Sequence, residues 1–295
     1  MIRASEGMRE VSKALSTYGI EDSWKEAEII LTQCIGLERV VLYRDDPLLS
    51  ALQVETLRKV LERRGRSEPI QYIIGHVNFF GLTINVGPGV LIPRPETELL
   101  VEGVINTFRS HQFRVISQRR PGHFSTERRL KILDLCTGSG CLALALAKEF
   151  PRADVVGTDI SETALGYARG NAQMNGIENV TFLKGTLFEP LQGMRFDIVV
   201  SNPPYIRRGE IGSLQREIYA WEPLEALDGG EDGLEFYREI LLGSMGYLEE
   251  GGFMVMEIGD GESGDVAAMA KNLGFKNISI HKDYSAMERV LRIVL

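Results

Sequence analysis

The chain predicts an α/β fold, a doubly wound and mainly parallel sheet of seven strands with a small helical N-terminal domain. Three observations carry that expectation. From Lys131 onward, short β-branched apolar runs alternate with helical patterns, as in βαβ units. Before about residue 70 the apolar spacing is helical only. Two turns, Gly138-Ser139-Gly140 and Asn202-Pro203-Pro204, each follow a strand pattern directly.

Residues 1–70 are read as the helical domain. Segment 23–36 sets Ala27, Ile30, Leu31 and Cys34 on one face, with Asp22 or Ser23 as N-cap and Gly36 near the C-cap. Segment 50–64 repeats the pattern with Val54, Leu57, Val60 and Leu61. Its Arg58, Lys59, Arg63, Arg64 and Arg66 read as a solvated surface. Residues 71–108 read as a hairpin and a bridging helix. Strand patterns at 70–80 and 82–86 flank Gly81, Pro93 and Pro95 break the period, and a helix is expected at 96–108. Residues 109–129, with six arginines and little periodicity, read as an exposed linker or insertion.

The last domain, 130–295, carries the alternation. Strands are expected at 131–135, 154–159, 180–184, 196–201, 252–258, 277–282 and 288–294. Helices are expected at 141–150, 161–175, 233–245 and 266–273.

Composition narrows the function classes. With 295 residues, 44% apolar and 25% charged, the chain resembles an ordinary globular protein long enough for two domains. No run of about 18 apolar residues suggests a membrane span, and MIRASEGMRE lacks the apolar core of a signal peptide. Cys34, Cys136 and Cys141 are odd in number and form no Cys-x-x-Cys pair. That argues against a disulfide framework or a zinc site and for a reducing cytoplasm. A net charge of −8 argues against stable binding to nucleic acid. The expected state is a cytoplasmic monomer without metal. His76, His111, His123 and His281 fall outside the motifs and read as structural or surface residues.

The chemistry concentrates at two turns. In DLCTGSGCLALA, glycines at 138 and 140 let backbone approach a ligand, and the following helix offers unpaired N–H groups. Asp159 ends the next strand, where a carboxylate can accept both hydroxyls of a ribose. Gly138, Gly140 and Ala143 also satisfy the dinucleotide fingerprint. Asp134, just before the loop, favours a different cofactor, because a carboxylate suits an ammonium and opposes a pyrophosphate. S-adenosylmethionine has the ammonium and the ribose and no phosphate. At the second turn, the strand FDIVVS stops at NPPY. Two prolines hold Asn202 and Pro203 extended, aiming the Asn202 side-chain oxygen and the Pro203 carbonyl outward beside the Tyr205 ring. Two acceptors and a flat face suit a planar group bearing an NH2.

With these motifs the chain resembles the peptide chain release factor glutamine methyltransferases. The resemblance covers nearly the whole length, through EPIQYIIG at 68–75, LIPRPETE at 91–98, DLCTGSG, SNPPYI and WEPLEALDGGEDGL at 221–234. Two positions depart from the pattern: Cys136 replaces a usual glycine, and Thr186 replaces an acid before Leu187-Phe188. The resemblance implies methyl transfer from S-adenosylmethionine to the side-chain amide nitrogen (N5) of the glutamine in the Gly-Gly-Gln motif of release factors. It implies a cofactor site of Asp134, Thr137, Gly138, Ser139, Gly140, Asp159, Leu187 and Asn202. Asn202, Pro203 and Tyr205 would be catalytic, and Pro204 would join them in holding the substrate amide. The helical domain and the 93–98 segment would grip the release factor. Two rival readings stay open: a nucleic-acid methyltransferase acting on the N6 of adenine or the N2 of guanine of a flipped base, and a cofactor-binding module without catalysis.

Overall fold

The computed structural model describes residues 2–118 and 129–295, with backbone only for 111–118. It divides into two compact units, Met1–His76 with Gln215–Trp221, and Val77–Leu214 with Glu222–Leu295.

The first unit is helical. Its helices are α1 (Ala4–Thr17), α2 (Ser23–Ile29, continued as a π-helical turn Ile30–Cys34), α3 (Arg39–Arg44), α4 (Ala51–Arg64) and α5 (Ile70–Ile74), with the later short helix α9 (Arg216–Tyr219). Ser50 starts α4 with a capping box: its hydroxyl accepts from the Gln53 N–H at 3.2 Å, and its own N–H donates to Gln53 Oε1 at 2.9 Å. Met8, Val11, Leu15, Ile30, Leu31, Leu57 and Val60 share one buried cluster.

Two expectations fail in this unit. The β-branched stretch from Ile70 is helical, not a strand. Pro69 stands at its N-cap and Gly75, at φ +92°, stops it after five residues; the buried contacts of Ile70 and Tyr72 prevail over β propensity. Arg64 is not solvated. Its side chain is 4% exposed and donates to Glu26 Oε1 and Oε2 at 2.6 and 3.1 Å, to the Glu68 carbonyl at 2.6 Å and to Glu217 at 3.0 Å. Satisfying four acceptors at once is what allows an arginine to be buried.

The second unit begins at Val77, within the hairpin of β1 (His76–Phe79) and β2 (Leu82–Asn85), followed by a 3-10 turn at Pro95–Thr97 and α6 (Glu98–Gln118). The expected end of this helix at 108 is wrong: it continues for ten further residues, so 109–118 is helix and not linker. The rest of the expected linker, 119–128, lies outside the described residues. There follow β3 (Lys131–Leu135), α7 (Cys141–Glu149), β4 (Asp154–Asp159), α8 (Glu162–Asn175), β5 (Val180–Lys184), β6 (Phe196–Ser201), α10 (Glu235–Tyr247), β7 (Leu248–Glu257), α11 (Ser263–Asn272), β8 (Asn277–Lys282) and β9 (Glu288–Val294).

Seven strands form one sheet in the order β5-β4-β3-β6-β7-β9-β8, parallel from β5 to β7, with β9 antiparallel to both neighbours. Alternate residues feed two cores. Leu133, Leu135, Val199, Met254 and Met256 join Tyr237, Ile240 and Leu241 of α10 and Val266 of α11. On α6, Gly103 lies against Val255 and Val290 of the sheet. The chain leaves β3 toward β4 on one side and returns to β6 on the other, which makes a switch point at the carboxyl edge. Leu135 pairs with Thr158 and with Ser201. The register therefore delivers Cys136, Asp159 and Asn202 to one edge of the sheet together. Among the described residues no helix is long and apolar enough to cross a membrane.

Candidate active site

A cavity of about 730 Å³ opens at that edge, within the second unit. Its volume is that of a small-molecule site. Thr137, Gly138 and Ser139 form one wall, Asp159, Thr186 and Leu187 another, and Asn202, Pro204, Pro93 and Thr97 a third.

The glycine loop is fixed by short-range bonds. The Thr137 N–H donates to the Thr158 carbonyl at 2.9 Å, and the Gly140 N–H to the Thr137 carbonyl at 2.8 Å. Gly140 is the N-cap of α7 at φ +81°, and a Cβ there would meet Ala168 and Phe182 at 3.0–3.1 Å. Cys136 itself takes φ +58°, a region that glycine enters without cost. Asp159 accepts the Gly138 N–H on Oδ2 and the Ser161 N–H on Oδ1, both at 2.8 Å. The Ile160 N–H also bears on this carboxylate, which with about four lone-pair sites still has acceptor capacity for a ligand. Burial raises the Asp159 carboxyl above its usual range.

Asp134 and Gly140 stand behind this wall and not in it. Asp134 is 0% exposed. Its Oδ2 accepts from Thr137 Oγ1 at 2.6 Å and from the Ala143 N–H at 3.1 Å, tying the loop to the first turn of α7. Its Oδ1, like the neighbouring Ser139 Oγ, is buried with no hydrogen-bond partner among the described residues. Burial raises this carboxyl to about 7, against the pull of the Thr137 and Ala143 bonds, and Asp159 nearby adds to the rise.

The NPPY turn is held from two sides. Asn202 Nδ2 donates to Thr97 Oγ1 at 3.1 Å, and Thr97 Oγ1 donates to Glu257 Oε2 at 2.7 Å. The Tyr205 hydroxyl donates to the other Glu257 oxygen at 3.1 Å. Pro203 and Tyr205 do not line the cavity; the Tyr205 ring packs against the sheet core, and burial pushes its phenol up. Beneath the turn, Ile206 bridges Asp228: the Ile206 N–H reaches the Leu227 carbonyl at 3.0 Å, and the Gly229 N–H the Ile206 carbonyl at 2.8 Å. A Cβ on Gly229 would lie 2.7 Å from the Tyr205 backbone, so only glycine permits this approach. The LIPRPETE and WEPLEALDGG stretches are joined as well. Arg94 Nη2 donates to Glu222 Oε1 at 2.6 Å, and the Ile92 N–H to Glu222 Oε2 at 3.2 Å.

Reading the residues had missed Thr97, Glu257 and Gly229. One signal was legible: Glu257 interrupts the apolar run FMVMEI, and an acid in a buried strand requires donors.

The wall favours positive charge. Asp159, Glu225, Asp228 and Glu235 line it. Arg208, the one basic lining residue among the described residues, is paired with Asp228 and Glu231, each at 2.9 Å. A pyrophosphate would meet carboxylates here, whereas a cationic ligand with ribose hydroxyls meets acceptors.

Comparison with known proteins agrees with this geometry. The chain matches two family models, the PrmC N-terminal domain over residues 6–75 and the methyltransferase small domain over residues 121–219. It is 43% identical to a release factor glutamine methyltransferase of Thermodesulfovibrio yellowstonii, across 90% of this chain and 91% of that one. It is 40% identical to the same enzyme of Geobacter sulfurreducens, across 94% and 91%. A 16S rRNA methyltransferase of T. thermophilus, solved with AdoMet and guanosine, superposes with a TM-score of 0.52 at 20% identity, covering 74% of this chain and 49% of that one; this likeness shows the fold alone. With such identity along nearly its full length, the chain belongs to the release factor glutamine methyltransferase family.

Proposed function

We propose that the protein transfers a methyl group from S-adenosylmethionine to the side-chain amide nitrogen of the Gly-Gly-Gln glutamine of peptide chain release factors. The observation that carries this reading is the placement of Asn202 on the wall of a cavity whose other walls are the glycine loop and Asp159. The residues present fit the cofactor. Acids line the cavity, the lining Arg208 is neutralised by Asp228 and Glu231, and Asp134 holds an acceptor with no partner among the described residues. The remaining lone pairs of Asp159 would take the ribose hydroxyls, and Leu187 would pack near the adenine. Thr137, Gly138 and Ser139 would face the cofactor. Asp134, covered by the loop, would act on the ammonium through its charge and not by contact.

S-adenosylmethionine supplies an already activated methyl group. What this chain must do is aim an amide nitrogen whose lone pair is delocalised into its carbonyl. Asn202 Oδ1 and the Pro203 carbonyl would accept the two amide N–H bonds, and both bonds strengthen as positive charge grows on nitrogen. Pro204 would lie against the amide plane, while Tyr205 holds the turn through Glu257. No general base is required before transfer, since the proton can leave afterwards. The helical unit and the 93–98 segment would supply the contacts that distinguish a release factor from free glutamine. The protein would act as a cytoplasmic monomer with no stable hold on nucleic acid.

The second reading, methylation of a base amino group, uses the same acceptors. The net charge of −8 and the acid-lined cavity count against it. A radiolabelled-methyl assay on purified release factors, DNA and RNA, with the product mapped by mass spectrometry, tests the proposal. Label on the Gly-Gly-Gln glutamine supports it, and label only on nucleic acid overturns it.

A further inference from the structure

We propose that Thr97, held by Glu257, is a positioning residue that decides which end of the Asn202 amide faces the substrate. The inference rests on the reading of Asn202 as an acceptor and deepens it.

An asparagine side chain has two nearly isosteric ends with opposite chemistry. One offers lone pairs, the other two N–H donors. An acceptor role requires that the wrong end be kept away from the substrate, and nothing within NPPY does this. The structure supplies the missing constraint from two distant segments. Glu257 is 1% exposed on a buried strand end, and burial raises its carboxyl, against the Thr97 and Tyr205 hydroxyls and the Arg289 charge that favour the ionised form; as the carboxylate it has no proton to give. Each of its oxygens takes one hydroxyl: Thr97 on Oε2 at 2.7 Å and Tyr205 on Oε1 at 3.1 Å. The single Thr97 proton is thereby committed, so Thr97 Oγ1 has only lone pairs left for Asn202. It accepts from Nδ2 at 3.1 Å, which leaves Oδ1 as the outward end. Turning the amide over would set Oδ1 against an oxygen with no free proton. Thr97 could answer only by abandoning a buried carboxylate oxygen. A negative charge on β7 thus sets polarity at the end of β6 through one hydroxyl. Although Thr97 lines the cavity, it is only 2% exposed, so solvent has little access to that hydroxyl.

The test compares Thr97→Val with Thr97→Ser. Valine keeps the shape and removes the hydroxyl; serine keeps the hydroxyl. Single-turnover methylation of release factor should fall about 10- to 100-fold in Thr97→Val, the loss typical when an outer partner of a site group is removed. Thr97→Ser should stay within about threefold of wild type, and S-adenosylmethionine affinity by calorimetry should hold in both. An independent readout needs no turnover. The Asn202 side-chain NH2 pair in the 15N spectrum, identified by its loss in Asn202→Asp, should move in Thr97→Val and stay in place in Thr97→Ser. Wild-type rate in Thr97→Val, an equal loss in Thr97→Ser, or an unmoved NH2 pair overturns the inference. A wild-type protein that leaves release factor glutamine unmethylated overturns the proposed function instead, while the NH2 pair still reports whether Thr97 orients the amide.

Discussion

Replacing Asp134 by asparagine should make the protein more stable and a poorer binder of S-adenosylmethionine at once. In the folded chain this carboxyl titrates at about 7, against 3.8 for an ordinary aspartate, because it is fully buried, with two hydrogen bonds on Oδ2 and none on Oδ1. Between those values the native state keeps a proton that the unfolded chain has lost. Stability from this group is therefore complete below the unfolded value, falls as pH rises through the window from 3.8 to about 7, and stays low above it. The shift bounds the loss at about 4 kcal/mol, and partial solvation of the open loop would reduce it. Asparagine stays neutral and can still accept from Thr137 and Ala143. Urea unfolding at about pH 5 should separate the two proteins by less than half of the difference at about pH 8.5, where the variant should be more stable by roughly 1–4 kcal/mol. Cofactor affinity by calorimetry at about pH 8.5 should fall around tenfold if the Asp134 charge acts on the ammonium through the loop as proposed. A stability difference that does not change between the two pH values would refute the reasoning.

On the proposed mechanism, Asn202→Ala removes one of two acceptors for the amide and should lower kcat by about 10²–10³ in single-turnover methylation, with a smaller effect on substrate binding. Gly229→Ala places a Cβ 2.7 Å from the Tyr205 backbone, where no flexible side chain can give way. It should cost about 1–3 kcal/mol in urea unfolding and depress methylation by displacing the NPPY turn. Arg64→Ala leaves the partly buried Glu26 carboxylate without its Arg64 partner. Urea unfolding should show a loss of about 2–4 kcal/mol.

Short-range patterns determined most of the architecture. The strand at 131–135, the glycine loop and α7 each depend on residues within a few positions of one another, and so do β4, α8, β5 and β6. The two punctuated turns could be found for the same reason: glycine and proline restrict their own backbone wherever they stand. Their meeting at one cavity followed from the strand alternation. Other features needed the tertiary structure. The insertion of β9 between β7 and β8 is a matter of pairing partners, which no run of residues announces. Arg64 read as a surface cation because its helix neighbours are cations, yet Glu217, 153 residues away, helps bury it. Ile70–Ile74 has the composition of a strand and became a helix once its apolar contacts were available. The orientation of Asn202 is the clearest case, because it depends on Thr97 and Glu257, which are 160 residues apart. A hydrogen bond between such positions leaves no period in the chain. It exists only once the sheet register and the 95–97 turn have brought Thr97 within 3.1 Å of Asn202 and 2.7 Å of Glu257.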